Sequence, residues 1–275
     1  MLNLADYDRT RTLAYDVADP HPSMHRFEGT VCVVTGAARG IGWAIAERLA
    51  GEGGRVAALD VSVRRLGPAV AELTARGFDV EAFTCDVGVR SAVADTMAAV
   101  EAHFGAPVGV LVNNAVWARF GPLASIDDEV ADRTFAVGLK ALIWTIQAVV
   151  PQMQRRGGGS IVNLSSTSAM HPGADAIVYA AMKGGVLGLT KAAAVELSPH
   201  RIRVNAVIPG MVGTPASKAQ YDATALAARS ATMPLGRFGD PQDIAGAVAF
   251  LASEDGAYVQ GAELMVDGGW TVGTR

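Results

Sequence analysis

A tyrosine and a lysine stand four positions apart in the segment "YAAMK", from Tyr179 to Lys183. In a helix, two such side chains lie on one face, one turn apart. A free phenol has a pKa of about 10, but a cation about 4 Å away contributes roughly 4 kcal/mol at an effective dielectric near 20. That is on the order of three pKa units, so Tyr179 is a candidate general acid or base. The alternative is a core tyrosine beside a lysine whose ammonium reaches water.

Three glycines, Gly36, Gly40 and Gly42, lie between a β-branched run and an Ala-rich stretch in "VVTGAARGIGWAIAERLA". Glycine permits close approach of a backbone, and a following helix offers free N–H groups and the positive end of its dipole. This strand–turn–helix context predicts a cradle for the pyrophosphate of a dinucleotide, with Arg39 and Ile41 in the same turn. The alternative is an ordinary turn whose glycines serve packing.

A carboxylate, Asp60, ends the second β-like run, eighteen residues after Gly42. At that position it can accept hydrogen bonds from both ribose hydroxyls of an adenosine and would repel a 2′-phosphate. Arg39 argues the other way, because a basic side chain in the glycine turn could pair with that phosphate. Since an unpaired carboxylate facing a phosphate is costly, we expect NAD rather than NADP.

Short β-branched runs alternate with Ala- and Leu-rich stretches, and the runs are continuously apolar, which indicates strands buried on both faces. The alternation predicts a single doubly wound Rossmann-type α/β domain over 27–275, with a mostly parallel sheet of about seven strands and helices on both faces. Residues 1–26 fall outside the pattern and are expected to form an N-terminal extension. The predicted strands are 30–36, 55–60, 79–86, 108–114, 159–165, 202–210 and 262–268, and the predicted helices include 41–52, 89–104, 128–155, 179–198 and 241–253.

The net charge of −4 argues against a nucleic-acid partner. No apolar run reaches about 18 residues, so we expect no membrane span, and the N-terminus lacks the apolar core of a secretory signal. Cys32 and Cys85 lie in or beside β-like runs and are expected to be small core residues. We expect no metal site and a reducing, cytoplasmic compartment.

Taken together, the motifs resemble those of the short-chain dehydrogenase/reductase family. They occur in the family's order and span residues 29–269, and as a set they are highly specific. The motifs are "TGAARGIG" (35–42), "NNA" (113–115), "SS" (165–166), "YAAMK" (179–183), "NAVIPG" (205–210) and "GAELMVDGG" (261–269).

The resemblance implies that Ser166, Tyr179 and Lys183 form the catalytic group, with Tyr179 thirteen residues after Ser166. Ser166 would hold the substrate oxygen, and Lys183 would also bind the nicotinamide ribose. Asn113 would brace the central strands. The resemblance also implies a homotetramer and further cofactor contacts at Asp86, Val87, Asn114, Ala115, Pro209, Gly210, Val212 and Thr214.

Two positions depart from the family pattern. Gly138 stands where the family has a fourth catalytic residue, an asparagine that supports a water linking the lysine to solvent. Glycine in a helix interior costs about 1 kcal/mol relative to alanine, so a kink, room for water, or drift at a tolerant position are the open explanations. Val116 replaces the glycine that normally follows "NNA", and its side chain should change the local backbone or narrow the pocket beside the nicotinamide.

The substrate wall is predicted at the carboxyl ends of the strands, where ligands bind in open α/β sheets. Most of the candidates are apolar, which favours a hydrophobic or cyclic substrate, and segment 213–239 is expected to act as a mobile lid. Arg119 and His171 could pair with a carboxylate or bind a polar substituent of the substrate, or they could lie on the surface without contact to it. The candidates are Trp117, Arg119, Phe120, Met170, His171 and Met211.

The sequence therefore predicts an NAD-dependent oxidoreductase acting on a secondary alcohol or its ketone, with a small-molecule substrate. A close alternative is an NADPH-dependent ketoreductase of the 3-oxoacyl thioester type, which Arg39 favours. A third is a dinucleotide-binding protein without turnover, which only Gly138 favours. Intact Ser166, Tyr179 and Lys183 argue against the third, because binding alone does not need a tyrosine tuned by a lysine.

Overall fold

The computed structural model describes residues 25–214, 217 and 223–273, and within them one sheet of seven parallel strands. The spatial order is β3-β2-β1-β4-β5-β6-β7, which confirms the doubly wound prediction. The strands are β1 Val31–Thr35, β2 Arg55–Asp60, β3 Val80–Thr84, β4 Val108–Asn113, β5 Gly159–Leu164, β6 Ile202–Pro209 and β7 Glu263–Val266.

Helices cover both faces of the sheet, as expected for strands without an alternating pattern. One apolar core lies between the sheet and α1, α2 and α8, and a second lies between the sheet and α3, α5 and α6. The helices of the described residues are α1 Gly40–Gly51, α2 Val63–Ala75, α3 Arg90–Phe104, α4 Asp128–Phe135, α5 Ala141–Arg156, α6 Ile177–Leu197, α7 Ala223–Thr232 and α8 Pro241–Ala252.

The predicted helix 128–155 is interrupted. A π-helical segment, Ala136–Lys140, joins α4 to α5 and contains Gly138. Widened turns of this kind occur often at functional sites. The sequence pattern also did not single out α2, because Pro68 and a neighbouring glycine weaken its helical signal.

The segment Asp128–Arg156 is the one described helix long and apolar enough to cross a membrane by length and composition alone, since an 18-residue stretch of it has a mean hydropathy of 1.4. It packs along the sheet, where Val149 and Met153 are fully buried. A core helix of this kind passes the same test, so the result is weak evidence for a span.

Two predictions fall largely outside the described residues. The N-terminal extension is described only from residue 25, where Arg26 pairs with the buried carboxylate of Glu52 at 2.6 Å. The predicted lid is described at 213–214, 217 and 223–239, and the last of these stretches contains α7. Both cysteines are buried with free thiols, and burial raises the pKa of Cys32 to about 12.

A buried chain of polar side chains crosses the sheet and ties α5 to α6. Thr145 Oγ1 donates to Asn113 Oδ1 at 2.8 Å, and Asn113 Nδ2 donates to Asn163 Oδ1 at 2.9 Å. Asn163 Nδ2 then donates to Thr190 Oγ1 at 3.0 Å. Because Asn163 lies on β5 and Thr190 on α6, this chain of hydrogen bonds fixes the position of α6 against the sheet. Thr190 Oγ1 also donates to the carbonyl oxygen of Val186 within α6.

We expect Asn163→Ala to destabilise the protein by about 1–3 kcal/mol, because the amide of Asn113 is then buried without an acceptor. Urea denaturation gives the change in free energy of unfolding. Gln154→Ala, at an exposed position of α5, is the matched control and should stay within about 0.5 kcal/mol of the parent. If Asn163→Ala and Gln154→Ala changed the free energy of unfolding equally, the polar chain would be dispensable for stability.

Candidate active site

The carboxyl ends of β1, β4, β5 and β6 meet where the strand order reverses, and a groove opens there. Thr35, the last residue of β1, braces the next strand end, since its Oγ1 accepts hydrogen bonds from the amides of Asn114 and Ala115, both at 3.0 Å. The Asn114 side chain then donates to the carbonyls of Thr35 and Gly36 at 2.9 and 3.2 Å. The floor of the groove is therefore rigid.

Helix α6 presents Tyr179 and Lys183 to this groove on one face. The ammonium of Lys183 lies 5.8 Å from the centre of the Tyr179 ring and donates to the carbonyl oxygen of Leu164 at 2.6 Å. The Lys183 side chain is buried. Ser166 follows β5 directly and forms a hydrogen bond with Tyr179, so the three polar groups converge at one strand end.

Burial controls the electrostatics of these groups. It lowers the pKa of Lys183 to about 8, and no carboxylate among the described residues contributes. Burial also raises the pKa of Tyr179, and the hydrogen bond from Ser166 offsets only part of that effect. The prediction that Lys183 lowers the tyrosine pKa is wrong for the chain alone, because the ammonium is turned toward Leu164 and desolvation dominates.

Two adjoining cavities form the groove, with volumes of about 270 and 400 Å³. They share Ile41, Asn114, Val116 and Thr214, so together they form one elongated site. All the residues predicted from the sequence to bind the cofactor line it. The smaller cavity contains Ser166, Tyr179, Lys183, Pro209, Gly210 and Val212, and the larger contains Gly36, Arg39, Gly40, Gly42, Asp60, Asp86, Val87 and Ala115.

The start of α1 has the features that a pyrophosphate needs. Arg39 occupies the N-cap position without a side-chain cap, and the first turn has no acidic residue. The first N–H groups therefore remain available to an anion. A Cβ on Gly42 would overlap the carbonyl oxygen of Gly36 and come 2.5 Å from Asn114 Nδ2. Glycine at this position allows the close contact between helix and strand.

The far end of the larger cavity combines a carboxylate with cations. Asp60 accepts hydrogen bonds from the amides of Ser62 at 2.9 Å and Ala38 at 3.3 Å, which fixes its orientation. Arg39 and Arg65 line the same end, and both also line a neighbouring surface pocket. The site thus holds groups that suit ribose hydroxyls and groups that suit a phosphate.

Asp86 is held by a residue that the sequence analysis missed. Its Oδ2 accepts from Arg133 at 2.9 Å, and its Oδ1 accepts from the amide of Gly88, also at 2.9 Å. Arg133 lies 47 residues away on α4, so no local pattern could indicate this contact.

The predicted substrate wall is only partly assembled around Ser166, Tyr179 and Lys183. The ring of Phe120 lies 5.3 Å from that of Tyr179, and Met211 lines the smaller cavity. Arg119 is exposed and pairs with Asp127 at 3.2 Å, which favours the surface interpretation of this residue. The remaining candidates lie further along: His171 contacts Trp270 edge to face at 6.3 Å, Met170 is exposed, and Trp117 packs against the core and lines the larger cavity.

The two departures from the family pattern have structural consequences. Val116 is about half exposed and lines both cavities, the position from which its side chain would narrow the groove. Gly138 lies in the π-helical segment, which supports the kink explanation. The space beside it is filled by Met182, a neighbour that the sequence analysis did not identify.

The chain is similar to known proteins over most of its length. A family model described as "Enoyl-(Acyl carrier protein) reductase" matches residues 36–271. Dehydrogenase/reductase SDR family member 4 of Homo sapiens is 39% identical over 242 residues, covering 87% of this chain and 86% of that protein. The 3-oxoacyl-acyl-carrier-protein reductase FabG of Thermotoga maritima is 38% identical over 247 residues, covering 90% of this chain and 100% of that protein.

A solved structure is also close. The gluconate 5-dehydrogenase of Burkholderia cenocepacia J2315, in complex with NADP and tartrate, superposes with a TM-score of 0.84 and 31% identity, covering 91% of this chain and 98% of that one. The chain belongs to the short-chain dehydrogenase/reductase family. It is an NAD(P)-binding oxidoreductase for CH–OH or ketone groups.

We expect Gly42→Ala to weaken NADH binding at least a hundredfold, because the new Cβ displaces the glycine turn from the start of α1. Fluorescence titration with NADH measures the affinity. Gly51→Ala, at the other end of α1, is the control, because its Cβ would meet only the ring of Phe78 at 3.7 Å. Unchanged affinity in Gly42→Ala would refute the cradle.

Proposed function

We propose that the protein is an NAD-dependent dehydrogenase that interconverts a hydrophobic or cyclic secondary alcohol and its ketone. The observation that carries the proposal is the convergence of Ser166, Tyr179 and Lys183 at the end of β5, beside a groove with an uncapped helix N-terminus. Proton transfer at a carbonyl needs such a group, whereas binding alone does not.

The residues of the chain divide the work with the cofactor. A bound nicotinamide supplies or accepts the hydride. Ser166 positions the substrate oxygen, and the Tyr179 hydroxyl donates a proton to that oxygen in ketone reduction and removes it in alcohol oxidation. The Lys183 ammonium stabilises the phenolate that forms when the proton leaves.

The lining of the smaller cavity supports an apolar substrate. Val116, Met211 and Phe238 contribute to its walls, and the ring of Phe120 stands against Tyr179. In the described part of the chain, the only ionisable side chains that line this cavity are Tyr179 and Lys183. Apart from the Lys183 ammonium, no charged side chain of the described residues lines the cavity to pair with a charged substrate.

The preference for NAD rests on Asp60. Its carboxylate is oriented by two backbone amides and keeps lone pairs free for ribose hydroxyls. Arg39 and Arg65 at the same end favour the alternative, an NADPH-dependent ketoreductase of the 3-oxoacyl thioester type. The similarity to FabG supports the same alternative.

We further propose a cytoplasmic homotetramer. Ile143 on α5 and Val195 on α6 are exposed apolar side chains on long helices, and burial against other copies would cover them. Gel filtration with light scattering distinguishes a tetramer from a monomer. The cytoplasmic assignment rests on the sequence features given above.

We expect Tyr179→Phe to lower kcat at least a thousandfold while NADH still binds, because the proton donor is lost and the fold is kept. Steady-state assays across secondary alcohols and ketones, with NADH titration, measure both. Tyr258→Phe, at a fully exposed tyrosine, is the control. Turnover by Tyr179→Phe at the parent rate would eliminate the assigned role, and failure of the parent on every alcohol and ketone would favour the non-catalytic alternative.

We expect the parent to bind NADH at least ten times more tightly than NADPH, a difference of about 1.4 kcal/mol in binding free energy. Asp60→Ala should narrow or reverse that preference, because the carboxylate no longer opposes a 2′-phosphate while Arg39 and Arg65 remain. Paired titrations with the two cofactors provide the measurement. A parent that prefers NADPH would instead support the ketoreductase alternative.

A further inference from the structure

The side chain of Met182 occupies the space that a side chain at position 138 would need. A Cβ placed on Gly138 would lie 2.5 Å from the Met182 sulfur, 2.6 Å from its terminal methyl carbon and 2.9 Å from its Cγ. Real Cβ atoms do not approach other heavy atoms so closely, so any residue other than glycine forces Met182 to move. Gly138 and Met182 are therefore an interlocked small–large pair between the π-helical segment and α6.

This pair lies directly behind the catalytic group. Met182 precedes Lys183 on α6 and is fully buried. It forms a small apolar cluster with Leu142 and Val186, and Tyr179 packs against that cluster. The Met182 thioether thus fills the space between the π-helical segment Ala136–Lys140 and α6, the helix that carries Tyr179 and Lys183.

We propose that Met182, seated on Gly138, is a positioning residue that seals Lys183 and Tyr179 from water on the α4–α5 side, so that Lys183 exchanges protons only through the cleft. This inference rests on the proposed function. A larger side chain at position 138 would require the Met182 side chain to leave its present position. The pair therefore sets the hydration of the lysine through packing.

The electrostatic surroundings of Lys183 agree with a seal. Burial alone lowers its pKa, to about 8. On the cleft side, Tyr179 is its titratable neighbour, and the nearby polar groups are Ser165, Ser166 and the carbonyl of Leu164. On the other side, the π-helical segment carries one cation, Lys140, which is exposed.

A pair of melting experiments tests the interlock without any substrate. In the parent, Gly138→Ala should lower the melting temperature, because the new methyl group collides with Met182. In a Met182→Ala background, the same change should raise it, because the methyl group enters the vacated space and alanine favours the helix. Gly246→Ala on α8, whose Cβ would meet only Arg48 at 3.9 Å, is the control and should act alike in both backgrounds.

The pH dependence of ketone reduction tests the seal. In Met182→Ser, water enters beside the ammonium and raises the pKa of Lys183, so the loss of activity at high pH should move upward by about 0.5 unit or more. Met182→Leu keeps an apolar filling and should retain the parent profile. Met97→Ser, at a methionine equally buried on α3, controls for general loss of stability.

Each outcome bears on a different claim. If Gly138→Ala changed the melting temperature by the same amount and in the same direction in the parent and in Met182→Ala, the interlock would be refuted. An unchanged pH profile in Met182→Ser, or the same shift in Met97→Ser, would refute the seal. If the parent reduced no ketone, the proposed function would fail, and the melting experiments would still decide the interlock.

Discussion

The chemistry proposed for the site depends on a buried ammonium, that of Lys183, which has no carboxylate partner among the described residues. Lys183 is held by one backbone carbonyl, that of Leu164, and burial lowers its pKa from 10.5 to about 8. A shift of this size corresponds to about 3 kcal/mol of lost stability while the lysine is protonated in both states. Since the pKa is lower in the folded protein, that cost is fully present below pH 8 and is relieved as the pH rises toward 10.5. The fold retains this cost at the position where a phenolate would form beside the cation.

The surrounding scaffold is arranged to hold that cation in place. The polar chain from Thr145 to Thr190 fixes α6 against the sheet, and Met182 packs α6 against the kinked α4–α5 helix. Thr35 braces the strand end that carries Asn114. These contacts are buried, whereas Phe120, whose ring stands beside that of Tyr179, is exposed. The groove therefore combines a tightly packed base with a more exposed rim.

Much of the fold could be predicted from the sequence because its signals are local. Continuous apolar strands alternating with helices indicate a parallel sheet, and the glycine turn before α1 marks the groove. The contacts of Met182 with Gly138 and of Arg133 with Asp86 could not be predicted, because they join residues 44 and 47 positions apart that only the folded chain brings together. The raised pKa of Tyr179 was missed for the same reason: the spacing from Tyr179 to Lys183 fixes the helix face but not the direction of the ammonium. The role of each site residue stays a prediction until the variants are assayed.

The most direct test of the account is the rate of ketone reduction by the parent protein at saturating cofactor between pH 6 and 10. The account predicts a loss of activity with a midpoint near pH 8, where Lys183 loses its proton. In the chain alone, burial raises the pKa of Tyr179 above its ordinary value of 10, so a midpoint near pH 8 points to Lys183 rather than to Tyr179. A rate that stays constant to pH 10 would contradict the claim that a buried, desolvated Lys183 controls proton transfer.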